Sequence, residues 1–102
     1  MNASIRQSNE VIRGAANIAN AIRTELVQRG RRHEEIALEW LPDPSFVALP
    51  DAPELKAELA QIGCVQQMFS REELEVSSEQ LERQSVVAKI NLVVESLQAG
   101  LP

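Results

Sequence analysis

One histidine and one cysteine are the residues of this sequence whose side chains could support metal or nucleophilic chemistry. His33 opens the stretch HEEIA, which begins like a helical zinc motif, but Ala37 stands where that motif needs its second histidine. Cys64 is alone, so neither an internal disulfide nor a thiolate cluster can form. A Cys64–His33 nucleophile–base pair would need surroundings that activate the thiol, and the flanking residues offer none. We interpret His33 as an exposed residue at a charged helix start, and Cys64 as a small buried hydrophobe in a helix.

Carboxylates are abundant, but their arrangement is typical of a solvated helix face. Acids that follow a serine cap interact favourably with the helix dipole, and a calcium loop would need a glycine turn that is missing. The four glycines are isolated, so no phosphate-binding loop is available. We therefore predict that the chain is not an enzyme and has no catalytic residues, no cofactor and no metal site. The predicted acidic face consists of Glu72, Glu73, Glu75, Glu79 and Glu82.

Charge is distributed unevenly along the chain. Residues 1–33 carry six arginines against two glutamates, a net of +4, and residues 34–102 carry four basic groups against thirteen acids, a net of −9. The arginines are spaced along a helix without aromatic residues between them, which argues against binding of nucleic acid. We expect the basic and acidic parts to complement each other, within one molecule or between copies.

Composition and periodicity together predict an all-α fold. With 102 residues the chain forms one domain, and its three aromatic residues leave a core of aliphatic side chains and alanine, which favours helix over strand. We predict a long N-terminal helix packed with two or three further helices as a hairpin or small bundle. The predicted helices cover about 4–29, 52–69 and 78–98, with an irregular, proline-rich connection at 42–53.

The range 33–41 is ambiguous. Ile36, Leu38 and Trp40 alternate as they would on a strand, whereas the pairs Ile36–Trp40 and Ala37–Leu41 have the spacing of a short helix. We favour the helix and keep the strand as the alternative.

The first helix has a 3.5-residue hydrophobic repeat, which is typical of a coiled coil. Its middle, GAANIANA, is small and polar, so another helix could approach it closely. The interaction residues predicted on this seam are Ile5, Ile12, Ala15, Ala19, Ile22 and Leu26. Those predicted on the last helix are Val86, Ile90, Val93, Val94 and Leu97.

The run Ala15-Ala16-Asn17-Ile18-Ala19-Asn20-Ala21 resembles the A-N-N-I-A-N-A-like run in the N-terminal helix of flagellar rod and basal-body proteins. The tail from Val86 to Leu101 is similar in character to the terminal helix of that family. The chain departs from the family after this run, where the helix continues instead of entering a Thr-Pro-Gly turn. The resemblance implies a building block or accessory of a flagellar or secretion apparatus, with terminal helices that order on assembly.

The predicted function is therefore that of a non-enzymatic protein–protein interaction module. It would act either in such an assembly or as a small acidic adaptor, secretion chaperone or phage-type inhibitor that binds one basic partner. We expect protein partners, as a homo-oligomer or a hetero-complex, without nucleic acid and without a membrane span. The N-terminus lacks the features of a signal peptide, which predicts a cytoplasmic protein or one exported without a cleaved signal.

Overall fold

The structure, a computed structural model, describes the backbone of residues 2–41 and 53–99 and the side chains of residues 10–41 and 53–99. The elements, in chain order, are α1 (Asn2–Gln28), a 3-10 turn (His33–Glu35), β1 (Ile36–Leu41), β2 (Glu54–Leu59), β3 (Gly63–Met68), α2 (Arg71–Val76) and α3 (Gln84–Gln98). The predicted connection at 42–53 lies outside the described residues, apart from Pro53.

The fold is mixed α/β, so the predicted all-α fold is wrong, and with it the helical bundle and the coiled coil. In the described ranges, three helices accompany a three-stranded antiparallel sheet in the order β1-β2-β3. The sheet arises where the sequence was expected to form a helix over 52–69 and a short helix over 33–41.

The range 52–69 contains a β-hairpin instead of one helix. Leu55, Leu59 and Ile62 have the spacing of a helical face, which is what suggested a helix. In the structure the buried residues of β2 are Leu55, Ala57 and Leu59, every second position, as a strand with one covered face requires. Leu55 and Leu59 fit both periods, so the pairing of β2 with its neighbours on both sides decides the outcome.

Within 33–41, the strand alternative is correct from Ile36 onward, and the favoured short helix is wrong. β1 pairs with β2 so that Leu38 lies opposite Ala57 and Trp40 lies opposite Leu55. These pairs place the alternating apolar residues of β1 on the face that β2 also buries. Cross-strand contacts of this kind stabilise a sheet. They join separate segments of the chain, so one segment read alone does not reveal them.

The sheet has one covered face and one exposed face. The covered face carries Ile36, Leu38, Trp40, Leu55, Ala57, Leu59 and Val65. The opposite face carries three rows of paired residues: Leu41–Glu54–Met68, Glu39–Lys56–Gln66 and Ala37–Glu58–Cys64. Most of the second set is exposed, so the sheet is a single layer packed on the helices.

The helices cover the apolar face of the sheet and complete one core. The buried stripe of α1 is Val11, Ala15, Ile18, Ile22 and Leu26, and that of α3 is Val86, Ile90, Val93, Val94 and Leu97. The α1 stripe advances by steps of four, three, four and four residues, which is closer to the 3.6 residues per turn of a straight helix than to a coiled-coil seam.

The end of α1 and the start of α2 follow local signals. α1 agrees with the predicted range 4–29, and Gly30 after it has a φ of 98°, the left-handed conformation that glycine adopts at helix ends. Ser70 and Glu73 form a capping box at the start of α2. The last helix begins at Gln84 rather than near position 78, because Ser78 belongs to the segment that closes α2.

Candidate functional site

An open groove, here named the α1–β1 groove, separates the first helix from the edge strand. Its volume is about 400 Å³. Three alanines form most of its α1 side, and larger side chains form its β1 side. The lining residues are Ile12, Ala15, Ala16, Ala19, Leu38, Glu39 and Trp40. Six of the seven are apolar, so the groove can cover apolar side chains but lacks the converging polar groups of a typical small-molecule site.

The groove follows the outer edge of β1. Leu38 and Trp40 point to the covered face of the sheet and Glu39 points to the opposite face, as alternation along a strand requires. A groove that touches all three must therefore pass along the backbone edge between them. Among residues 2–41 and 53–99, β1 has only β2 as a strand neighbour.

Trp40 anchors the edge strand to the helix at one end of the groove. Its indole Nε1 donates a hydrogen bond to the carbonyl oxygen of Ala15, over 3.2 Å. Its ring meets Phe69 edge to face, with centroids 5.6 Å apart and planes inclined at 64°. The indole N–H is thereby satisfied within the chain, and the half-buried ring contributes apolar surface to the groove.

The other side of α1 is closed against α2. A Cβ placed on Gly14 would overlap the carbonyl oxygen of Leu74, so the two backbones meet where only glycine fits. Asn17 donates from its side-chain amide to the carbonyl oxygens of Ser77 and Ser78, at 2.9 and 3.3 Å. These bonds satisfy carbonyl groups after the end of α2, which would otherwise lack partners.

A buried carboxylate joins α2 to α3. Glu73 accepts hydrogen bonds from Lys89 Nζ at 2.7 Å, from Ser85 Oγ at 2.6 Å and from the backbone N–H of Ser70 at 2.8 Å. Burial acts to raise the pKa of Glu73, but these hydrogen bonds and the charge of Lys89 outweigh it and hold the pKa below its ordinary value. Lys89 also lies over the ring of Phe69, 5.4 Å from its centroid.

The predicted acidic face is largely engaged within the molecule. Three of its members form ion pairs: Glu72 with Arg83 at 3.5 Å, Glu73 with Lys89 at 2.7 Å and Glu75 with Arg71 at 3.6 Å. Glu79 and Glu82 are exposed. Glu73 in particular is a core residue and not part of a docking surface.

The ion pairs of the described side chains are local or join α2 to α3. None of them connects an arginine of α1 with an acid of the later elements. Arg29 pairs with Glu25 on the same helix, at 3.7 Å. The expected complementarity of the two parts of the chain is therefore not realised as ion pairs inside this part of the molecule.

The predicted seam of α1 divides between the core and the groove. Ala15, Ile22 and Leu26 are buried, Ile12 and Ala19 are half-buried in the groove lining, and the side chain of Ile5 lies outside the described residues. The five residues predicted on the last helix are all buried in the chain's own core.

The two residues with potential for chemistry lie apart from the groove lining. His33 is exposed at the start of the 3-10 turn. Cys64 is exposed on β3, so the prediction of a buried cysteine in a helix is wrong. Among the side chains that the structure describes, no group of three or more His, Cys, Asp or Glu residues could hold a metal ion. In the described ranges, no helix combines the length and apolar character that crossing a bilayer requires.

Leu38 and Trp40 are site residues that were not predicted as such. Their alternation with Ile36 was a visible signal, but a strand edge becomes a site only once a helix lies beside it. No protein-family model matches this chain, and no curated protein or solved structure is similar enough to count as a match.

Proposed function

We propose that this chain is a non-enzymatic protein–protein interaction module that binds a segment of a protein in the α1–β1 groove. The supporting observation is the groove itself, which is apolar, open and continuous with the edge of a sheet. An edge strand offers backbone N–H and C=O groups to an added chain, and a neighbouring groove accepts alternate side chains of that chain.

The composition of the lining favours a protein segment over a small molecule. Glu39 is the single charged residue among the seven that line the groove, and it lies at the rim with its side chain exposed. An extended segment can place apolar side chains against Ile12 and Leu38 while its backbone meets the strand. A basic residue on that segment would meet Glu39, and such a pair contributes more to orientation and encounter than to affinity.

Of the predicted classes of interaction protein, the structure favours an adaptor or chaperone over an assembly subunit. An assembly subunit of the flagellar type would keep apolar surface on its terminal helices for neighbouring subunits. The apolar stripe of α3 is already covered by α1 and the sheet. The proposed adaptor works in the cytoplasm or is exported without a cleaved signal.

A peptide selection with groove-filled variants tests this function. Dodecapeptides displayed on phage are selected on the wild-type chain immobilised at low density, and their binding is compared on two variants. Ala16→Trp fills the groove from its exposed α1 side, and Ala88→Trp places the same side chain on an exposed site of α3 as the matched control.

We expect the selected peptides to be rich in apolar residues and to bind Ala16→Trp at least tenfold more weakly than wild type, with Ala88→Trp close to wild type. Circular dichroism of both variants confirms that they are folded. Equal binding to all three proteins, or a selection that enriches no sequence, contradicts the proposal.

A further inference from the structure

We propose that a partner at this edge is a second copy of the chain, bound by antiparallel pairing of the two β1 strands into one six-stranded sheet. This inference rests on the proposed function, because it names the partner of the same surface. It depends on three features of β1: its unpaired edge, its sequence and its register with itself.

In the described part of the chain, β1 has β2 as its one strand neighbour, so its outer edge is unpaired there. α3 packs against β3, and α1 meets β1 chiefly through Trp40, with the groove left between them. Within residues 2–41 and 53–99, the backbone hydrogen bonds of β1 go to β2, apart from the Ile36 N–H, which donates to the carbonyl oxygen of His33. The other outward N–H and C=O groups of β1 have no backbone partner among these residues, so another strand could pair with them.

The sequence of β1 lacks the devices that keep edge strands apart. It reads IALEWL, without proline, lysine or glycine, and Glu39 is its single charge. Soluble proteins usually protect such edges with charges, prolines or bulges, because an apolar edge pairs readily with another chain. Leu38 and Trp40 are half-buried and Leu41 is 38% exposed, so apolar surface remains along this strand.

The register of a self-paired β1 follows from the alternation of its faces. Residues opposite each other must point to the same side of the sheet, so the two-fold axis passes through a residue and not between two residues. Two registers give the longest overlap, one centred on Glu39 and one centred on Leu38. The first places two Glu39 carboxylates directly opposite each other, which is unfavourable.

The register centred on Leu38 has no such conflict. It pairs Leu38 with Leu38 of the second copy and Ile36 with Trp40, so the covered face continues across the interface. On the other face it places Glu39 opposite Ala37 of the second copy. Glu39 keeps Lys56 as its neighbour within its own sheet. The geometry therefore points to a symmetric dimer with Leu38 on its axis.

Sedimentation velocity of the full chain over a concentration series tests the dimer, and charge changes at position 37 test the register. Ala37→Glu places a carboxylate opposite Glu39 twice per dimer and should raise the dissociation constant about tenfold. Ala37→Lys places an ammonium group there and should lower that constant by a similar factor. The double variant Ala37→Glu/Glu39→Lys recreates an opposite-charge pair across the interface and should bring the dissociation constant to the wild-type value or below it.

Gln66→Glu is the matched control. It adds a negative charge on the same face of the sheet, but on β3, which is separated from the outer edge of β1 by β2. We expect it to leave the dissociation constant within about twofold of wild type, the usual effect of a distant surface change. Thermal melting of every variant shows whether it is folded, and Ala37→Lys keeps the test decisive if Ala37→Glu unfolds.

A monomer at every concentration overturns the dimer. A dimer that responds equally to Ala37→Glu and Ala37→Lys, or that the double variant fails to restore, overturns the register and with it this inference. In either case peptides that still lose binding on Ala16→Trp would leave the proposed function standing. If the dimer behaves as expected but Ala16→Trp does not weaken peptide binding, only the proposed binding of other protein segments in the α1–β1 groove would be contradicted.

Discussion

The two sides of α1 both carry small residues, but these residues have opposite effects. On the α2 side, Gly14 lets the helix touch the backbone of Leu74, and Asn17 binds the carbonyl groups after α2. On the β1 side, Ala16 and Ala19 face no comparable neighbour and leave an open groove. Small side chains therefore permit close approach but do not cause it, and the side that has no such contact among the described residues is the one that we propose for binding.

The two sides of α1 also differ in their role: the α2 side contributes to stability, and the β1 side to the proposed function. The α2 side is supported by a buried carboxylate network around Glu73, and changes there should affect folding. On the β1 side, Trp40 donates a hydrogen bond to α1, and the alanines of the lining that are not buried, Ala16 and Ala19, can change with little effect on folding. The predictions below test this contrast, beginning with the largest effect.

Gly14→Ala should lower the free energy of unfolding by about 3 kcal/mol, because the new methyl group overlaps the carbonyl oxygen of Leu74 and the backbones must move apart. At an exposed helical site the same change would stabilise by about 1 kcal/mol through helix propensity. Urea denaturation measures the difference. Asn20→Ala, at an exposed site of α1, is the control and should stabilise slightly. A stabilising Gly14→Ala would show that α1 and α2 are not in contact.

Ala15→Leu and Ala19→Leu should differ, although the predicted seam placed both alanines on one contact surface. Ala15 is 1% exposed and its substitution should cost about 1–3 kcal/mol. Ala19 is half-buried in the groove lining, and its leucine has room, so the change should stay within about 0.5 kcal/mol. Chemical denaturation of the two variants measures their free energies of unfolding. Equal losses would mean that the groove is closed.

Glu73→Gln should lower the free energy of unfolding by about 1–3 kcal/mol at neutral pH, because a charged hydrogen-bond acceptor is lost beside Lys89. The pKa of Glu73 is lowered in the folded chain, so its contribution is present above the unfolded value of 4.5 and disappears as the pH falls through the lower folded pKa. Unfolding measured from neutral pH into the acid range should therefore show the two proteins converging. A constant difference at every pH would contradict the ion pair.

Trp40→Phe should cost about 1 kcal/mol, since it removes the hydrogen bond to the carbonyl oxygen of Ala15 and keeps an aromatic ring beside Phe69. Trp40→Leu also loses the ring contact and should cost more. Amide hydrogen exchange of β1 should become faster in both variants, because the anchor of the edge strand is weakened. Unchanged exchange in β1 would show that the indole does not hold the strand to the helix.

Local sequence signals were sufficient to recognise α1, its end and the start of α2. The periodic stripe of α1, the glycine after its last turn and the serine–glutamate capping box of α2 could each be recognised within a few residues. The apolar stripe of α3 was also visible, although its start was placed six residues early, at 78 instead of 84. In these elements the hydrogen bonds join residues close in sequence, so the signal is contained in the segment.

The sheet and the groove could not be recognised in this way. Leu55 and Leu59 satisfy a helical and a strand period alike, and Ile36, Leu38 and Trp40 were equally ambiguous. The expected coiled-coil seam placed Ile12 and Ala19 with Ala15 on one contact surface, whereas the structure assigns them to the groove lining. The small difference between the assumed period of 3.5 residues and the observed steps of four, three, four and four residues was enough to move the contact face.

The amino-acid sequence by itself determined the two long helices, the apolar residues that α3 buries and the absence of clustered histidines and cysteines. The tertiary structure alone decided that 36–41 and 54–59 are strands, that Gly14 is the point of closest contact and that one side of α1 stays open. The physical reason is the distance along the sequence between residues that share a hydrogen bond. A helix forms its backbone hydrogen bonds within about one turn, whereas a strand forms none until a distant segment lies beside it.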